Sequence, residues 1–323
     1  MLRRVGGALL LLWLVLTITF ALIRLAPGDA ATFLVPPSAT VADAARIRAE
    51  LGLDRSIPVQ YARWALGLLR GDVGESFSLH QPVVRALADA LPVSIGLGVA
   101  SLLLTFLIGV PIGMWQAVRR GRPTDRVLTV VTTTLYAAPS FWLALALVAV
   151  FTYGASAWGL PLSVRLPAFG LRSPGADLHG VAATLDLIRH SILPVAILTA
   201  VGAAGIARYA RSSIADVLSQ DFVRTARAKG SSATRVYFRH VLATVLPALV
   251  VLFALSLPGL VAGSIFVESV FAWPGMGRLM VNAIVARDYP LVMGAAGVYA
   301  ALVLFANLAG DLALSVVDPR RRA

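Results

Sequence analysis

Cysteine is absent from the 323 residues of this chain, and charged residues make up only 14% of it. Without thiols the chain can form neither a disulfide framework nor a cysteine-ligated zinc site. Histidine is scarce and scattered, at His80, His179, His190 and His240. The sequence therefore predicts neither a metal site nor a bound cofactor.

Lysine occurs once, at Lys229, between Ala228 and Gly230. The phosphate-binding loop of nucleotide hydrolases requires a lysine directly after a glycine, in the pattern G-x-x-x-x-G-K-[ST]. This chain lacks that pattern, so we expect it not to be an ATPase. Any ATP-driven function would need a partner polypeptide that hydrolyses the nucleotide.

Hydrophobic residues are abundant, at 58% of the chain, and the mean hydropathy is +0.82. Soluble proteins contain about 45–50% apolar residues and about 25% charged ones. Runs of about 20 apolar residues predict bilayer-crossing helices. Six such runs are present, at about 5–25, 91–115, 127–151, 187–207, 245–266 and 291–316. The sequence predicts an all-α membrane protein with six transmembrane helices, the first of them a retained helix and not a cleaved signal peptide.

The placement of the basic residues predicts the orientation of these helices. With the N-terminus inside, the inner segments contain 16 of the 28 basic residues and five of the 16 acidic ones. The net charge is then +11 inside and +1 outside. By the positive-inside rule both termini are cytoplasmic. The overall charge of +12 is explained by this topology and by contact with an anionic lipid bilayer, and we expect no nucleic-acid partner.

The predicted outer loop, residues 27–90, contains two helical patterns. Thr40 can cap a first helix together with Asp43, and Gly52 can close it. Pro58 suits the first turn of a second helix, which Gly71 can close. Its apolar face is predicted to consist of Val59, Ala62, Leu66 and Leu69, with Tyr61 and Trp64 at the membrane boundary. The domain organisation is then a transmembrane helix at 1–26, the outer region at 27–90 and a five-helix core at 91–323.

The segment DFVRTARAKG, residues 221–230, lies in the predicted cytoplasmic loop 208–244. Asp221 is predicted to cap a two-turn helix, Gly230 to close it in a left-handed conformation, and Ser231 or Ser232 to cap the next helix. So short a helix is marginal alone. Two interpretations are open from the residues: a basic elbow on anionic headgroups, or a docking element for a cytoplasmic subunit.

Three separated stretches resemble one family. VRTARAKG, residues 223–230, resembles the cytoplasmic-loop signature of ABC importer permeases in its dipeptide, oligopeptide and nickel branch, although Arg224 and Thr225 depart from the general motif. Residues 51–77 resemble the first outer loop of that branch, and residues 271–292 its last outer loop. The closing DPRRR, residues 318–322, also fits.

The resemblance implies the permease half of a peptide importer in the bacterial inner membrane. Its partners would be a second homologous permease subunit, two cytoplasmic ATPase subunits and an extracytoplasmic substrate-binding protein. Gly230 would set the bend of the coupling helix, and the small Ala226 and Ala228 would let it sit closely in an ATPase groove. The implied ATPase-coupling residues are Asp221, Phe222, Arg224, Thr225, Ala226, Arg227, Ala228, Lys229 and Gly230.

Alternative functions stay open at this level. A nickel-chelate or other small-solute importer belongs to the same branch. An ion-coupled secondary transporter would need coupling sites near the membrane midplane, and no internal repeat is evident. An intramembrane hydrolase would need a base near Ser140 or Ser156, and these serines have no companion histidine in their spans, while His190 lies at the outer end of the fourth span. A non-transport scaffold would need none of these features.

Overall fold

A computed structural model describes residues 2–25, 40–50, 52–161, 164–257, 259 and 265–317. The described chain is mostly helical, with one hairpin of two-residue strands, β1 and β2. The helices are α1 Leu2–Leu25, α2 Val41–Glu50, α3 Ile57–Leu69, α4 Val83–Val118, α5 Pro123–Ala137, α6 Ser140–Val148, α7 Ala155–Ala157, α8 Gly180–Leu218, α9 Asp221–Ala228, α10 Ala233–Arg235, α11 Ala243–Ser256, α12 Ile265–Val270, α13 Met276–Val285 and α14 Tyr289–Val317; the strands are β1 Glu75–Ser76 and β2 Gln81–Pro82. Two π-helical turns, Ala149–Gly154 and Val236–Leu242, join α6 to α7 and α10 to α11.

Five helical stretches among the described residues are long and apolar enough to cross a membrane. They are Val83–Val118, Ser140–Ala157, Gly180–Leu218, Ala233–Ser256 and Tyr289–Gly310. The first predicted span is helical over Leu2–Leu25, but its described apolar part, Leu9–Leu25, is shorter than these five. A mostly helical architecture with apolar helices of membrane-crossing length is therefore confirmed, whereas the count of six crossings stays a prediction.

The third predicted span was wrong in its bounds, because the chain does not form one helix across residues 127–151. Helix α5 ends at Ala137, and Ala138 is extended, with φ −73° and ψ 138°. Pro139 lacks a backbone N–H and disfavours helical geometry in the residue before it. The membrane-length stretch begins afterwards, at Ser140. In the fifth predicted span, helix α11 ends at Ser256, and residues 258 and 260–264 lie outside the described part.

The chain divides into two compact units, Met1–Ser94 with Pro274–Phe305, and Ile95–Trp273 with Ala306–Ala323. In the first unit, α3 packs on α1 through aromatic rings: Tyr61 and Trp64 lie 5.3 and 5.6 Å from Phe20, between ring centroids. The four apolar residues predicted to share one face of α3 lie on one helix and are all exposed, so another side of α3 makes this contact. Rings with a polar edge provide the contact, and the hydroxyls of Tyr61 and Thr17 lie 2.8 Å apart.

The helix ends predicted in the 27–90 region are confirmed where they are described. The Thr40 hydroxyl accepts a hydrogen bond from the Asp43 amide, and an Asp43 carboxylate oxygen accepts from the Thr40 amide, which forms a capping box. Gly52 and Gly71 follow α2 and α3 with φ of 66° and 80°. Pro58 lies in the first turn of α3.

A buried carboxylate links two distant segments of the first unit. Asp288 is fully buried, and its Oδ2 accepts hydrogen bonds from the hydroxyls of Ser76 and Ser78 at 2.6 and 2.7 Å. Its Oδ1 accepts from the amide of Leu291 in the first turn of α14. A helix N-terminus favours negative charge, so this carboxylate joins the β1–β2 hairpin to the start of α14.

Small residues allow α4 and α8 to approach closely in the second unit. A Cβ atom added at Gly113 would lie 2.5 Å from the carbonyl oxygen of Ala207, and one at Gly109 would lie 2.9 Å from that of Ala203. A Cβ added at Gly202 would in turn lie 2.6 Å from the Thr105 hydroxyl. Small residues at such contacts are typical of membrane helix pairs. This seam fixes the helix whose far end leads into the candidate site.

Candidate coupling site

The candidate site is the elbow that follows α8. Helix α8 ends at Leu218, and α9 begins at Asp221. The predicted N-cap is one residue out of place: Gln220 has the extended N-cap conformation, and Asp221 is the first helical residue. Asp221 still acts favourably at this end, because a negative charge in the first turn complements the helix dipole.

The C-terminal end of α9 forms as predicted. Gly230 has φ 77°, the left-handed conformation that closes many helices. The Ser231 amide donates to the Ala226 carbonyl and the Gly230 amide donates to the Arg227 carbonyl, which is the pairing of a Schellman motif. A Cβ at Gly230 would meet nothing within 4 Å. The requirement for glycine is thus one of backbone conformation and not of space.

One side of α9 is fixed to the body of the second unit. Val223 is fully buried in an apolar cluster with Ile214 and Val217 from the end of α8. Val236 and Val241, from the turn that follows α10, complete this contact. The packing supplies the tertiary support that an eight-residue helix needs, since such a helix is marginal alone. Movement of α9 is therefore expected to move α8 with it.

Ala226 packs against the same cluster and is half-buried. The close seating in a partner groove that is predicted for Ala226 stays a prediction. Within the chain, a larger side chain at Ala226 would disturb the attachment of α9 to this cluster. Of the two small residues, Ala228 is the exposed one.

The other side of α9 is open. Phe222 is 40% exposed, so this polar helix presents one large apolar ring on its open side. The rest of the predicted set, Asp221, Arg224, Thr225, Arg227, Ala228, Lys229 and Gly230, is also exposed. The structure thus gathers eight of the nine predicted residues on one exposed surface and turns Ala226 inward. We call this exposed surface of α9 the coupling surface.

The next helix, α10, begins at a second predicted N-cap. Ser232 is the N-cap residue of α10, and its hydroxyl accepts a hydrogen bond from the Arg235 amide at 3.4 Å. Of the two serines predicted for this role, the structure selects Ser232. The N-cap residues Gln220 and Ser232, with the left-handed Gly230 between them, give the elbow a defined backbone conformation.

An ion pair that the sequence analysis missed braces the base of the elbow. The Arg211 guanidinium, on α8, binds both carboxylate oxygens of Asp125, on α5, at 2.8 Å each. The amide of Gly121 donates a further hydrogen bond to Asp125. The hydrogen bonds from Arg211 outweigh burial and lower the pKa of Asp125 from 3.8 to about 2. A bidentate Arg–carboxylate pair gives directional strength, so it holds α5 against α8 just before α9.

The described part of the chain contains no group of three or more histidine or acidic side chains that could hold a metal ion. The coupling surface offers an exposed ring, short side chains and cations on a rigid support. This arrangement suits the binding of a protein surface and the transmission of force.

Comparisons with known proteins identify a family. Residues 109–323 match the family described as the binding-protein-dependent transport system inner membrane component. Residues 1–98 match the N-terminal family of the same membrane components.

Two relatives cover nearly the whole chain. The oligopeptide transport system permease protein AppB of Bacillus subtilis is 34% identical over 307 residues, which are 94% of this chain and 92% of AppB. The dipeptide transport system permease protein DppB of Escherichia coli K12 is 32% identical over 334 residues, which cover 99% of this chain and 98% of DppB.

A solved structure has a similar fold. It is the methionine ABC transporter MetNI in an inward-facing conformation, with a TM-score of 0.53 and 19% identity. The match covers 73% of this chain and 97% of the MetNI chain. At this identity the likeness concerns the fold.

Proposed function

The chain belongs to the family of binding-protein-dependent transport system inner membrane components, and on that premise we propose that it imports peptides as the permease subunit of an ATP-driven transporter. Its two full-length relatives are named as oligopeptide and dipeptide permeases. The observation that carries the proposal is the coupling surface. It combines a buried attachment through Val223 with an exposed face that can dock on a partner subunit.

We propose that α1 is a sixth crossing and that both termini are cytoplasmic. The support is the 24-residue length of α1, the two arginines in its first turn, Arg3 and Arg4, and the arginines that follow α14. The closing arginines at 320–322 lie outside the described residues. With this orientation the coupling surface faces the cytoplasm, and α2 and α3 face the opposite side.

We further propose that each coupling surface binds in a groove of one ATPase subunit, with Phe222 as its anchor. A complete importer would contain a second homologous permease, two ATPase subunits and an extracytoplasmic substrate-binding protein. Closure of the ATPase pair would push on α9. Because Val223 fixes α9 to the end of α8, the push would reach the membrane helices as a movement of α8.

The test is transport by the assembled complex. The chain is tagged, its complex is purified from its native host, and the complex is placed in vesicles with the binding protein outside. We expect uptake of short peptides only with ATP at the ATPase side, and none when the ATPase subunit carries a substitution in its phosphate-binding lysine. Uptake driven by a proton or sodium gradient without ATP would overturn the proposal in favour of a secondary transporter.

A second experiment distinguishes peptides from nickel chelates and other small solutes as the substrate. Mass spectrometry of the solute released from the purified binding protein gives an answer that is independent of transport. We expect peptides in this fraction. Recovery of a nickel chelate alone would identify the chain as part of a nickel-chelate importer of the same family.

A further inference from the structure

A polar cavity of about 680 Å³ lies between α5 and α8 in the second unit. On the α5 side its walls are Thr129, Thr132, Thr133 and Tyr136. These four positions are spaced by three and four residues and share one helix face. We call this space the threonine–tyrosine cavity.

The opposite face of α5 has a different character. Val127 and Val131 lie there and are 61% and 46% exposed. Exposed valines suit an apolar environment such as lipid, whereas a row of hydroxyls does not. Helix α5 thus separates an apolar surface from the threonine–tyrosine cavity, which indicates that the cavity side is in contact with water or with solute.

Helix α8 contributes a cation to this cavity. The Arg208 guanidinium lies 5.0 Å from the centroid of the Tyr136 ring. Gly205 permits the arrangement, because a Cβ at that position would come within 3.2 Å of the Tyr136 ring. An arginine next to a membrane span is stable only where it reaches water or a partner.

Arg208 differs from its neighbour Arg211 in charge balance. Arg211 also lines the cavity, but Asp125 neutralises it. Within the described residues, no carboxylate lies within ion-pair distance of Arg208. The cavity therefore has a net positive charge with a guanidinium fork available for an anion.

A second polar group in the cavity also lacks a partner. Gln116, on α4, is fully buried and lines the cavity, and its Nε2 donates to the Thr129 hydroxyl at 3.2 Å. Its Oε1 has no hydrogen-bond partner within the part of the chain that the structure describes. A buried acceptor left unpaired costs free energy, so it points to a missing N–H donor.

We propose that the threonine–tyrosine cavity is this chain's share of the solute pathway, and that Arg208 binds the C-terminal carboxylate of a passing peptide. This inference rests on the proposed function. A peptide end carries the two groups that the cavity lacks, a carboxylate for Arg208 and an amide N–H for Gln116 Oε1. The Thr129 and Thr132 hydroxyls already donate to Asp125 and to the Leu128 carbonyl, so Thr133 is the threonine whose hydroxyl can serve the peptide.

The absence of cysteine from the chain allows a test of the cavity that does not depend on transport. Thr133→Cys places a thiol on the cavity face, and Val131→Cys places the matched control on the valine face two residues away. Each variant, in its assembled complex, reacts with an anionic or a cationic methanethiosulfonate reagent. Labelling of this subunit is measured over time.

We expect Thr133→Cys to react about tenfold faster than Val131→Cys, and faster with the anionic reagent than with the cationic one. Adding Arg208→Gln should remove the preference for the anion, whereas Arg120→Gln, an exposed arginine outside the cavity, should not. Equal reactivity of the two thiols, or a preference that survives Arg208→Gln, would overturn the inference.

Uptake completes the test with trialanine and its C-terminal amide as probes. In vesicles, Arg208→Gln should lower trialanine uptake about tenfold or more while leaving uptake of the amide unchanged. Binding of both probes to the free binding protein is measured as a control. Equal losses for acid and amide would show a structural role for Arg208 and contradict the inference. If the labelling holds but the wild-type complex moves neither peptide, the proposed function is wrong while the anion-binding cavity stands.

Discussion

Arg211 holds the buried carboxylate of Asp125 with two hydrogen bonds of 2.8 Å, across 86 positions of sequence. The Asp125 side chain is 3% exposed and that of Arg211 is 30% exposed. The pair joins α5 to α8 at the base of the elbow that bears the coupling surface. Its strength bears directly on how force from α9 would reach the membrane helices.

Removing either partner of this pair should destabilise the protein. Asp125→Asn and Arg211→Gln should each lower the free energy of unfolding by about 2–3 kcal/mol, because each leaves a buried or half-buried group unpaired. The double variant should lose clearly less than the sum of the two. Thermal unfolding of the purified complex measures all three, with Arg120→Gln as the exposed control. Additive losses would mean that the two side chains do not interact.

The same pair predicts a dependence on pH. Its hydrogen bonds hold the pKa of Asp125 at about 2, below the ordinary 3.8. The folded state therefore gains stability from the ionised carboxylate above the ordinary pKa and loses it as the pH falls toward about 2. The unfolding temperature of wild type should exceed that of Asp125→Asn by a constant margin from about pH 7 to 5. This margin should shrink below about pH 4, and a margin that grows on acidification would contradict the assigned direction.

The seam between α4 and α8 predicts opposite effects for two glycines on one helix. Gly113→Ala should destabilise the protein by about 1–3 kcal/mol, because its Cβ would meet the Ala207 carbonyl oxygen at 2.5 Å. Gly96→Ala, with nothing within 4 Å of its added Cβ, should be neutral or stabilise by up to about 1 kcal/mol. Thermal unfolding compares them. If both had the same effect, helix propensity and not close packing would govern Gly113.

The left-handed conformation of Gly230, after α9, predicts that different substitutions destabilise the elbow to different degrees. Gly230→Ala should destabilise the elbow by about 1–2 kcal/mol through its φ of 77°, although the site has room for the methyl group. Gly230→Asn should cost less, since asparagine tolerates this conformation. Hydrogen exchange of residues 220–231 reports the local effect, and the ratio of uptake to ATP hydrolysis reports coupling. Alanine performing as well as glycine in both would show that the bend has no role.

Local signals in the sequence predicted much of the site. The capping box of Thr40 with Asp43 and the left-handed Gly230 each depend on neighbours within a few positions, so spacing predicts them. For the cap of α10, spacing left Ser231 and Ser232 as alternatives, and the structure shows Ser232. The helix break at Ala138 also had a local signal in Pro139, but the prediction followed the apolar run and placed one helix across it.

Contacts between distant positions could not be predicted in this way. Asp125 and Arg211 are 86 positions apart in the sequence, and Asp288 and Ser76 are 212 positions apart, so no local pattern predicts either pair. The inward turn of Ala226 depends on the cluster around Val223, which forms only when three segments meet. The seam had a partial signal, since Gly109 and Gly113 have the G-x-x-x-G spacing of closely packed membrane helices.

Photocrosslinking from the coupling surface tests the central claim most directly. Phe222 is replaced by p-benzoylphenylalanine, a ring of similar shape, and Phe141, 46% exposed on α6, receives the same replacement as a control. After irradiation of intact membranes, the adducts of this subunit are identified by mass spectrometry. We predict that position 222 captures an ATP-hydrolysing subunit and that position 141 does not. Adducts at position 222 that contain lipid and no ATPase would contradict the account.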